Sequence, residues 1–459
     1  MPTLNVRNYI ITSPSLASMA QRRSKTLSFY GLVLEVTKRF VALDEATMHI
    51  IKNNMDGTEG HHGLMPESHA ATTKLLQPGP ELDSMCTIQL EQFSQLLHKT
   101  ASTSNGQPVA LHSWIRQLFS ISNAYAVYGP QNPFARDPSL IKAFWDFEEG
   151  MVDLAASPYP ALTARKAFAA REKLLGALID YVEEERYASA STVIKTRIGL
   201  NLKHGLSKTM AGHAELIMLF GILSNAVPTT FWMLSYIFNR PDLLAELRTE
   251  LQRVVSQEGE SNTHIIHVHQ LKTECPLLVS TFRETMRVIG NLSSVRYVVE
   301  DTWLADQYLL KKGSVIQIPS GIMHLDTNTW GSDAAEFKPT RFLEEISVTT
   351  TTHDDHECEA TQRKAVPRPK NVPASAYRAF GGGSVICPGR HYGQTEILGF
   401  VAAVLLMFDM TNADGSMPVT LPAKDECRIP LSVMKPVEDV RVCIRLREGM
   451  ESVKWDLQL

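Results

Sequence analysis

Apolar residues recur at helical spacing along most of this chain. Trp114, Leu118, Ile121 and Tyr125, for example, continue one apolar face, as in a helix packed on a core. Shorter apolar runs bounded by Gly, Asp or Lys indicate strands. The pattern therefore predicts a mainly α fold with small β-sheets, of the α+β class. Predicted helices include 82–117 with a break at 102–107, 138–156, 163–187, 208–238, 276–289 and 390–408, and predicted strands include 4–12, 295–299, 308–310, 314–319, 427–433 and 440–446.

The helix predicted over 208–238 is the most informative. Its segment 216–238 contains no charged residue, so by length and composition it is a candidate membrane span. A cluster of polar side chains at its centre favours a buried central helix instead. The polar residues are Ser224, Asn225, Thr229 and Thr230.

Pro228 predicts a kink in this helix. Proline has no N–H to donate to the carbonyl of Ser224, so a carbonyl is left free beside Asn225, Thr229 and Thr230. Polar groups in such a place suit a groove that binds oxygen or a substrate. The alternative is a purely structural kink, in which the threonine hydroxyls bond back to their own helix.

Composition sets limits on the class of protein. With 459 residues, 44% of them hydrophobic and 20% charged, the chain can bury a large core. No Gly/Ser-rich or Pro-rich linker divides it, so we expect one domain over 1–459. A net charge of −4 gives no reason to expect a nucleic-acid partner. Six widely spaced cysteines without a Cys-x-x-Cys pair favour a reducing compartment.

Two peripheral segments differ from the rest of the chain in their apolar and charged residues. Residues 1–13 contain no sustained apolar run and predict neither a signal peptide nor a membrane anchor. The segment 347–372 mixes prolines with charged residues of both signs, which predicts an exposed insertion. Its acidic residues are Asp354, Asp355, Glu357 and Glu359, and its basic residues are Arg363, Lys364, Arg368 and Lys370.

Candidate chemistry is concentrated in residues 380–390. Three glycines, Gly381 to Gly383, precede Cys387, and an apolar helix begins at Arg390. Glycines tolerate positive φ and let the backbone approach a flat, bulky group. The first-turn N–H groups of the helix favour a thiolate at Cys387, which suits a soft metal. The alternative is a buried structural cysteine beside a flexible loop.

This stretch resembles the haem-binding loop of the cytochrome P-450 superfamily. The residues that stand at the family's spacing are Phe380, Gly381, Gly383, Cys387, Gly389 and Arg390. The resemblance implies a cytochrome P-450 fold, with haem b between the long distal helix and the proximal helix that follows the cysteine. It implies that Cys387 is the axial ligand of the haem iron. It assigns cofactor binding to Phe380, Gly381, Gly383 and Gly389.

Two upstream segments resemble the same family. Glu284 and Arg287 are three residues apart and share a helix face, and Arg341 follows in Pro339–Phe342. The resemblance implies that this carboxylate and the two guanidiniums form a buried structural group that supports the haem pocket. It also implies that Arg296, at the start of a short strand, binds a haem propionate.

The sequence departs from the family where propionates are usually bound. A Trp and an Arg spaced four apart are missing from the neighbourhood of residues 50–80, which we expect to be a polar, turn-rich loop. The position two before the cysteine, often Arg or His, is Val385. Propionate binding therefore rests on Arg296 and on groups that the sequence does not identify.

A second departure lies in the distal helix. The family's acid and threonine, which relay protons, align with Val227 and Pro228. Asn225, Thr229 and Thr230 are the candidate catalytic residues that remain. The sequence Asn-x-x-Pro followed by Phe231-Trp232 resembles the branch that contains cholesterol 7α-hydroxylase and prostacyclin synthase.

Three functions follow from the resemblance. The first is a monooxygenase that oxidises a lipophilic, terpenoid or steroid-like molecule with O2 and electrons from NADPH, supplied by a flavoprotein reductase that docks on the proximal basic face. The second is a reductase-independent isomerase or dehydratase that acts on a peroxide, as in prostacyclin synthase. The third is a non-enzymatic haem-binding protein.

The resemblance also implies a setting for this protein. It points to fungal secondary metabolism, and to a position on the cytoplasmic side of the endoplasmic reticulum with peripheral membrane contact, or in the cytoplasm. Residues that resemble this N-terminus lie inside longer family members, after a membrane anchor, so the chain looks short at its start.

Overall fold

The computed structural model describes residues 7–57, 62–103, 106–259, 262–351, 357–427 and 433–459. Its helices are α1 Pro14–Arg22, α2 Tyr30–Phe40, α3 Glu45–Lys52, α4 Leu64–Leu75, α5 Pro80–Thr103, α6 Leu111–Tyr128, α7 Pro133–Arg136, α8 Ser139–Glu149, α9 Met151–Ala156, α10 Pro160–Thr163, α11 Arg165–Glu183, α12 Thr192–Lys203, α13 Lys208–Leu223, α14 Ala226–Phe238, α15 Pro241–Leu251, α16 Leu271–Glu274, α17 Pro276–Ile289, α18 Ser320–His324, α19 Thr327–Trp330 and α20 Arg390–Met407. Short 3-10 turns cover Arg186–Ser189, Gln252–Val254 and Gly383–Val385.

Short strands connect these helices. They are β1 Asn8–Ile10, β2 Leu27–Ser28, β3 Pro108–Ala110, β4 Val255–Gln257, β5 Thr263–His267, β6 Ser293–Val298, β7 Thr302–Leu304, β8 Tyr308–Leu310, β9 Val315–Pro319, β10 Leu343–Thr351, β11 Glu357–Ala365, β12 Phe408–Asn412, β13 Arg441–Leu446 and β14 Lys454–Gln458. The predicted mainly α fold with small sheets is confirmed.

The largest sheet of the described residues has the order β1-β9-β6-β2. Strand β1 runs parallel to β9, and the other two pairings are antiparallel. Strands β12-β13-β3 and β14-β5-β4 form two more sheets. In the segment predicted as an insertion, β10 and β11 pair as an antiparallel ribbon, with Leu343 opposite Ala365.

Helices α14 and α20 occupy the centre of the main core. Every residue of α14 is buried, and α20 is buried almost continuously from Thr395 to its end. A helix that is apolar on all sides must be surrounded by protein. Aromatic rings fill the space around α20, where Phe93, Phe119 and Phe400 lie with their centroids 4.9 to 5.1 Å apart.

Local sequence explains where several helices begin. The side chains of Ser191 and Ser207 accept hydrogen bonds from the backbone N–H groups of Ile194 and Met210, which caps α12 and α13. Helices α15 and α17 start with Pro241 and Pro276, whose missing N–H would have no partner in the first turn. Of these helices, α17 carries Glu284 and Arg287, and α13 ends at the turn that contains Asn225.

The helix predicted over 208–238 is broken. Helix α13 ends at Leu223 and α14 begins at Ala226, with Ser224 and Asn225 in the turn between them. Pro228 lies in the first turn of α14, where its missing N–H costs little. The predicted kink is therefore a full interruption. By length and apolar composition 208–238 could cross a membrane, but most of it is buried inside the protein.

Two predictions of local structure were wrong. Part of the loop expected in 50–80 is helix α4, which begins after Gly63 and includes Pro66 in its first turn, a position that tolerates proline. The helix expected over 138–156 is interrupted at Gly150, between α8 and α9. A Cβ at Gly150 would lie 2.6 Å from Cβ of Ala167, so glycine here permits close packing of α11.

Candidate functional site

The cysteine loop is closed by backbone hydrogen bonds. The N–H of Cys387 donates to the carbonyl of Phe380 at 3.0 Å, and the N–H of Gly381 donates to the carbonyl of Arg378 at 3.0 Å. Gly381 and Gly383 have φ values of +80° and +70°, a region that favours glycine because it has no Cβ. The loop is thus a defined hairpin-like turn that ends three residues before α20.

Cys387 is exposed at this turn. The Arg390 guanidinium donates to the Cys387 carbonyl at 3.2 Å and to Gln77 Oε1 at 3.4 Å, which ties the loop to the end of α4. A Cβ at Gly389 would lie 3.8 Å from Sγ of Cys387. Phe380 is half-buried and packs against the main core.

The electrostatics of the thiol differ from the sequence expectation. Desolvation by surrounding protein raises the pKa of Cys387, although the Gly389 N–H and the Arg390 charge both lower it. The helix-terminus N–H acts in the expected direction, and burial opposes it. A coordinating metal would favour the thiolate, because a thiol that binds a metal is deprotonated outright.

Glu284 forms ion pairs with two arginines, Arg287 and Arg341. Its carboxylate accepts two hydrogen bonds of 2.8 Å from Arg287 and one of 3.0 Å from Nε of Arg341. The backbone N–H of Lys338 donates to it at 2.9 Å. All three charged side chains are nearly inaccessible to water, so their mutual pairing and hydrogen bonds must offset desolvation. The carboxylate thus has protein donors on both oxygens.

His324 connects this group to the cysteine loop. Its Nε2 accepts from the backbone N–H of Arg378 at 2.8 Å, so its Nδ1 carries the proton and donates to the Arg287 carbonyl at 3.1 Å. Burial and the Arg287 charge lower the pKa of His324 to about 3. His324 is therefore a core histidine with both ring nitrogens hydrogen-bonded to the backbone.

Arg296 lies in strand β6 and is buried. One of its nitrogens, Nη1, donates to Ser294 Oγ at 3.0 Å and to the Val295 carbonyl at 2.7 Å. Its guanidinium lies over the ring of Phe29, 5.1 Å from the centroid. Burial and the positive charge of Arg378 lower the pKa of Arg296 to about 10. The site therefore contains two guanidiniums that repel one another.

Arg378 is the residue that sequence reasoning missed. It is 2% exposed, and its Nε and Nη2 have no hydrogen-bond partner in the part of the chain that the structure describes. No periodicity or motif marks it, since it stands alone between Tyr377 and Ala379. Its only sequence signal is a positive charge two residues before the glycine loop begins at Phe380.

The three candidate distal residues differ in exposure. Asn225 is half-buried in the turn between α13 and α14, and its Oδ1 accepts from the N–H of Val433 at 3.1 Å. The hydroxyls of Thr229 and Thr230 donate to the carbonyls of Asn225 and Ala226, at 2.7 and 2.9 Å. Both threonines are buried. Their hydroxyls bond back to backbone carbonyls of the same segment. This is the alternative of a purely structural kink at Pro228.

Comparison with known proteins identifies the class. The family model of cytochrome P-450 matches residues 156–439. That range includes the broken distal helix, the Glu284 group and the cysteine loop. The chain therefore belongs to the cytochrome P-450 superfamily.

Its relatives specify the kind of enzyme. A cytochrome P-450 monooxygenase of Gibberella zeae is 29% identical over 99% of this chain and 83% of its own length. The monooxygenase poxD of Penicillium oxalicum is 30% identical over 92% of this chain and 82% of its own length. Cholesterol 7-alpha-monooxygenase of Cricetulus griseus is 25% identical over 63% of this chain and 57% of its own length. The chain is thus a fungal cytochrome P-450 monooxygenase, an oxidoreductase that incorporates oxygen.

The family implies haem, and the residues present fit it. An exposed thiol lies on a turn of glycines without side chains, and the buried Arg378 guanidinium, with two nitrogens unpartnered in the described ranges, borders the same turn. A macrocycle with an iron centre and carboxylate side arms matches both features. The monooxygenase function also favours the first of the three functions that the sequence left open.

Proposed function

We propose that this monooxygenase binds haem b through the thiolate of Cys387 and oxidises a lipophilic, terpenoid or steroid-like small molecule, as a single catalytic domain over 1–459. The observation that carries the proposal is the exposed Cys387 thiol, held by the Cys387 N–H to Phe380 carbonyl bond at the start of α20. Thiolate-bound haem, when present, supplies the activation of O2 that C–H oxidation requires.

On the proximal side, the loop holds the ligand in place. The Arg390 contact to the Cys387 carbonyl and the left-handed conformations of Gly381 and Gly383 fix the position of the thiol. A Cβ at Gly389 would contact Sγ at 3.8 Å, so glycine keeps this side of the thiol free of a side chain. Phe380 packs against the core. Positioning of this kind is the protein's main contribution in a cofactor enzyme.

On the distal side, we assign the main polar role to Asn225. Its amide lies in the helix break, is half-buried, and is held by the Val433 N–H. Thr229 and Thr230 are more deeply buried and donate their hydroxyl protons to backbone carbonyls. In this proposal they stabilise the break and act on a proton only if that local hydrogen bonding rearranges.

The proposed substrate class rests on the relatives and on the lack of charged side chains in the distal helix α14. One relative is named for cholesterol, a sterol, and the first-listed relatives are fungal. The distal helix α14 contains no charged side chain, which suits an apolar molecule. These features support a terpenoid or steroid-like substrate of fungal secondary metabolism.

Electrons would come from NADPH through a flavoprotein reductase on the proximal side. Lys364 and Lys370 expose their side chains in the basic segment that precedes the cysteine loop. Arg363 in the same segment already pairs with Glu246. Lys370 also has an acidic neighbour, Glu344, at 3.6 Å. Exposed cations steer an acidic partner mainly by raising the association rate, so we propose Lys364 as the main docking contact and the largely exposed Lys370 as a second one.

We further propose peripheral contact with the cytoplasmic side of the endoplasmic reticulum. Tyr159 and Leu162 are 71% and 74% exposed, next to one another around α10. Aromatic and aliphatic side chains of this kind partition into the membrane interface. A cytoplasmic enzyme without this contact is the alternative.

Spectroscopy and turnover test the proposal together. We expect a carbon monoxide difference spectrum with the thiolate signature, and turnover of a lipophilic substrate with reductase and NADPH. Turnover with a hydroperoxide alone would instead support the isomerase function. A thiolate spectrum without either activity would support a haem-binding protein that is not an enzyme. Metabolite comparison of a strain that lacks the gene would then identify the substrate.

A further inference from the structure

Arg378 carries a buried charge that the described part of the protein does not compensate. Its side chain is 2% exposed, and both Nε and Nη2 lack hydrogen-bond partners there. The backbone of the residue is engaged on both sides, since its N–H donates to His324 and its carbonyl accepts from Gly381. The backbone of Arg378 is thus fixed, while Nε and Nη2 of its guanidinium have no acceptor in the described ranges.

A second buried guanidinium lies within electrostatic range of it. Arg296 is 3% exposed, and the Arg378 charge contributes to lowering its pKa. Arg296 donates to a hydroxyl and to a carbonyl, both neutral. Over the described ranges, neither arginine has a carboxylate within ion-pair distance. By contrast, Arg287 and Arg341 share Glu284.

This pair is costly without an anion. The desolvation penalty of a buried ion is several kcal/mol even after relaxation, and two like charges at close range add repulsion. Protein groups in the described ranges supply only neutral acceptors. A ligand with two negative charges would compensate both arginines.

The position of Arg378 indicates which ligand. Its Nη1 lies 3.4 Å from where a Cβ on Gly382 would stand, so the guanidinium borders the glycine loop that leads to Cys387. Haem b has two propionate carboxylates, and carboxylates accept paired hydrogen bonds from the guanidinium fork. No other dianion is required by the chemistry of this site.

We propose that Arg378 binds one propionate of haem b and Arg296 binds the other. Arg378 then fills the role that the sequence left vacant at Val385 and in the region 50–80. This inference rests on the proposed haem site at Cys387. Arg378 is a positioning residue for the macrocycle, without a role in oxygen chemistry.

The test compares haem b with its dimethyl ester, in which both propionates are uncharged. Wild type and Arg378→Met are each reconstituted with the two haems, and loss of haem to excess apomyoglobin is timed. We expect Arg378→Met to lose haem b roughly tenfold to a hundredfold faster than wild type does, since hydrogen bonds to charged groups are strong. With the ester, the two proteins should differ little.

Arg283→Met is the matched control. Arg283 is another largely buried arginine, but its Nη1 already has an acceptor, the Val366 carbonyl at 2.6 Å. We expect this variant to distinguish haem b from the ester as strongly as wild type does. Arg378→Lys retains charge but not the fork, and we expect an intermediate discrimination. If Arg378→Met does not fold, the same comparison of the two haems is made with Arg378→Lys.

The outcomes separate this inference from the proposed function. Equal discrimination between the haems in wild type and in Arg378 variants, together with a normal thiolate spectrum, would overturn the role of Arg378 alone. If wild type shows no thiolate spectrum, the Cys387 assignment fails first. Reduced discrimination with an intact thiolate spectrum supports both.

Discussion

The backbone N–H of Arg378 donates a 2.8 Å hydrogen bond to Nε2 of His324. Through the other ring nitrogen, His324 reaches the carbonyl of Arg287, which belongs to the buried Glu284 group. One imidazole thus joins the ion cluster on α17 to the segment that enters the cysteine loop. The cluster and the loop are mechanically linked through a neutral histidine, and this linkage has a consequence for stability in acid.

We predict that His324 makes the protein sensitive to acid. The pKa of His324 is lowered from 6.5 to about 3 by burial and by the Arg287 charge, so the folded state holds it neutral. Unfolding lets it bind a proton below pH 6.5. Its contribution to stability is complete above that pH and is lost as the pH falls towards 3, by roughly 1.4 kcal/mol per pH unit.

Urea unfolding of wild type and His324→Asn at about pH 7 and about pH 5 measures the contribution of His324 to the free energy of unfolding. The variant should be less stable at neutral pH because a buried hydrogen-bonded link is altered, and its stability should fall less between the two pH values. His49→Asn, at an exposed position of α3, is the control and should keep the wild-type dependence. An unchanged dependence in His324→Asn would contradict the prediction.

We predict that Glu284→Gln destabilises the fold strongly. It leaves the guanidiniums of Arg287 and Arg341 buried without a countercharge, and breaking a buried pair of this kind costs about 3 to 5 kcal/mol. Chemical denaturation monitored by circular dichroism gives the value. Asp146→Asn is the control, because Asp146 pairs with the exposed Lys142 and Lys166, and a surface pair contributes less than about 1 kcal/mol. Similar losses for both variants would argue against a structural role for Glu284.

We predict that Cys387→Ser abolishes the thiolate signature. A serine hydroxyl is a harder and far less acidic ligand, so the carbon monoxide difference spectrum should change and haem content should fall. Cys427→Ser is the matched control, since Cys427 is the other exposed free cysteine in the described ranges. Unchanged spectra in Cys387→Ser would refute the assigned ligand.

We predict that Asn225→Ala affects the reaction more than Thr230→Val does. Removing the Asn225 amide takes a half-buried polar group out of the helix break, and we expect roughly tenfold more hydrogen peroxide released per NADPH oxidised. The Thr230 hydroxyl is buried and bonded to Ala226, so Thr230→Val should remain near wild type. Peroxide assays with the reductase measure both. A larger effect in Thr230→Val would return the distal role to the threonine.

Much of this protein was determined by local sequence. The helix–strand pattern, the glycine turn at Gly381 and Gly383, and the spacing of Glu284 and Arg287 all rest on interactions within a few residues, which periodicity and backbone preference report directly. The same holds for the largely buried segment 216–238, which has no charged residue and a cluster of polar residues at its centre. The family could therefore be inferred before any coordinates were known.

Tertiary structure decided the rest. Arg378 and His324 are single residues without a local pattern, and their roles come from burial among groups far away in the chain. The break at Ser224–Asn225 and the helix α4 depend on which neighbours satisfy each backbone group. The pKa of Cys387 depends on desolvation by surrounding atoms, which the sequence does not place. Long-range packing sets the environment of a charge, and short-range sequence cannot.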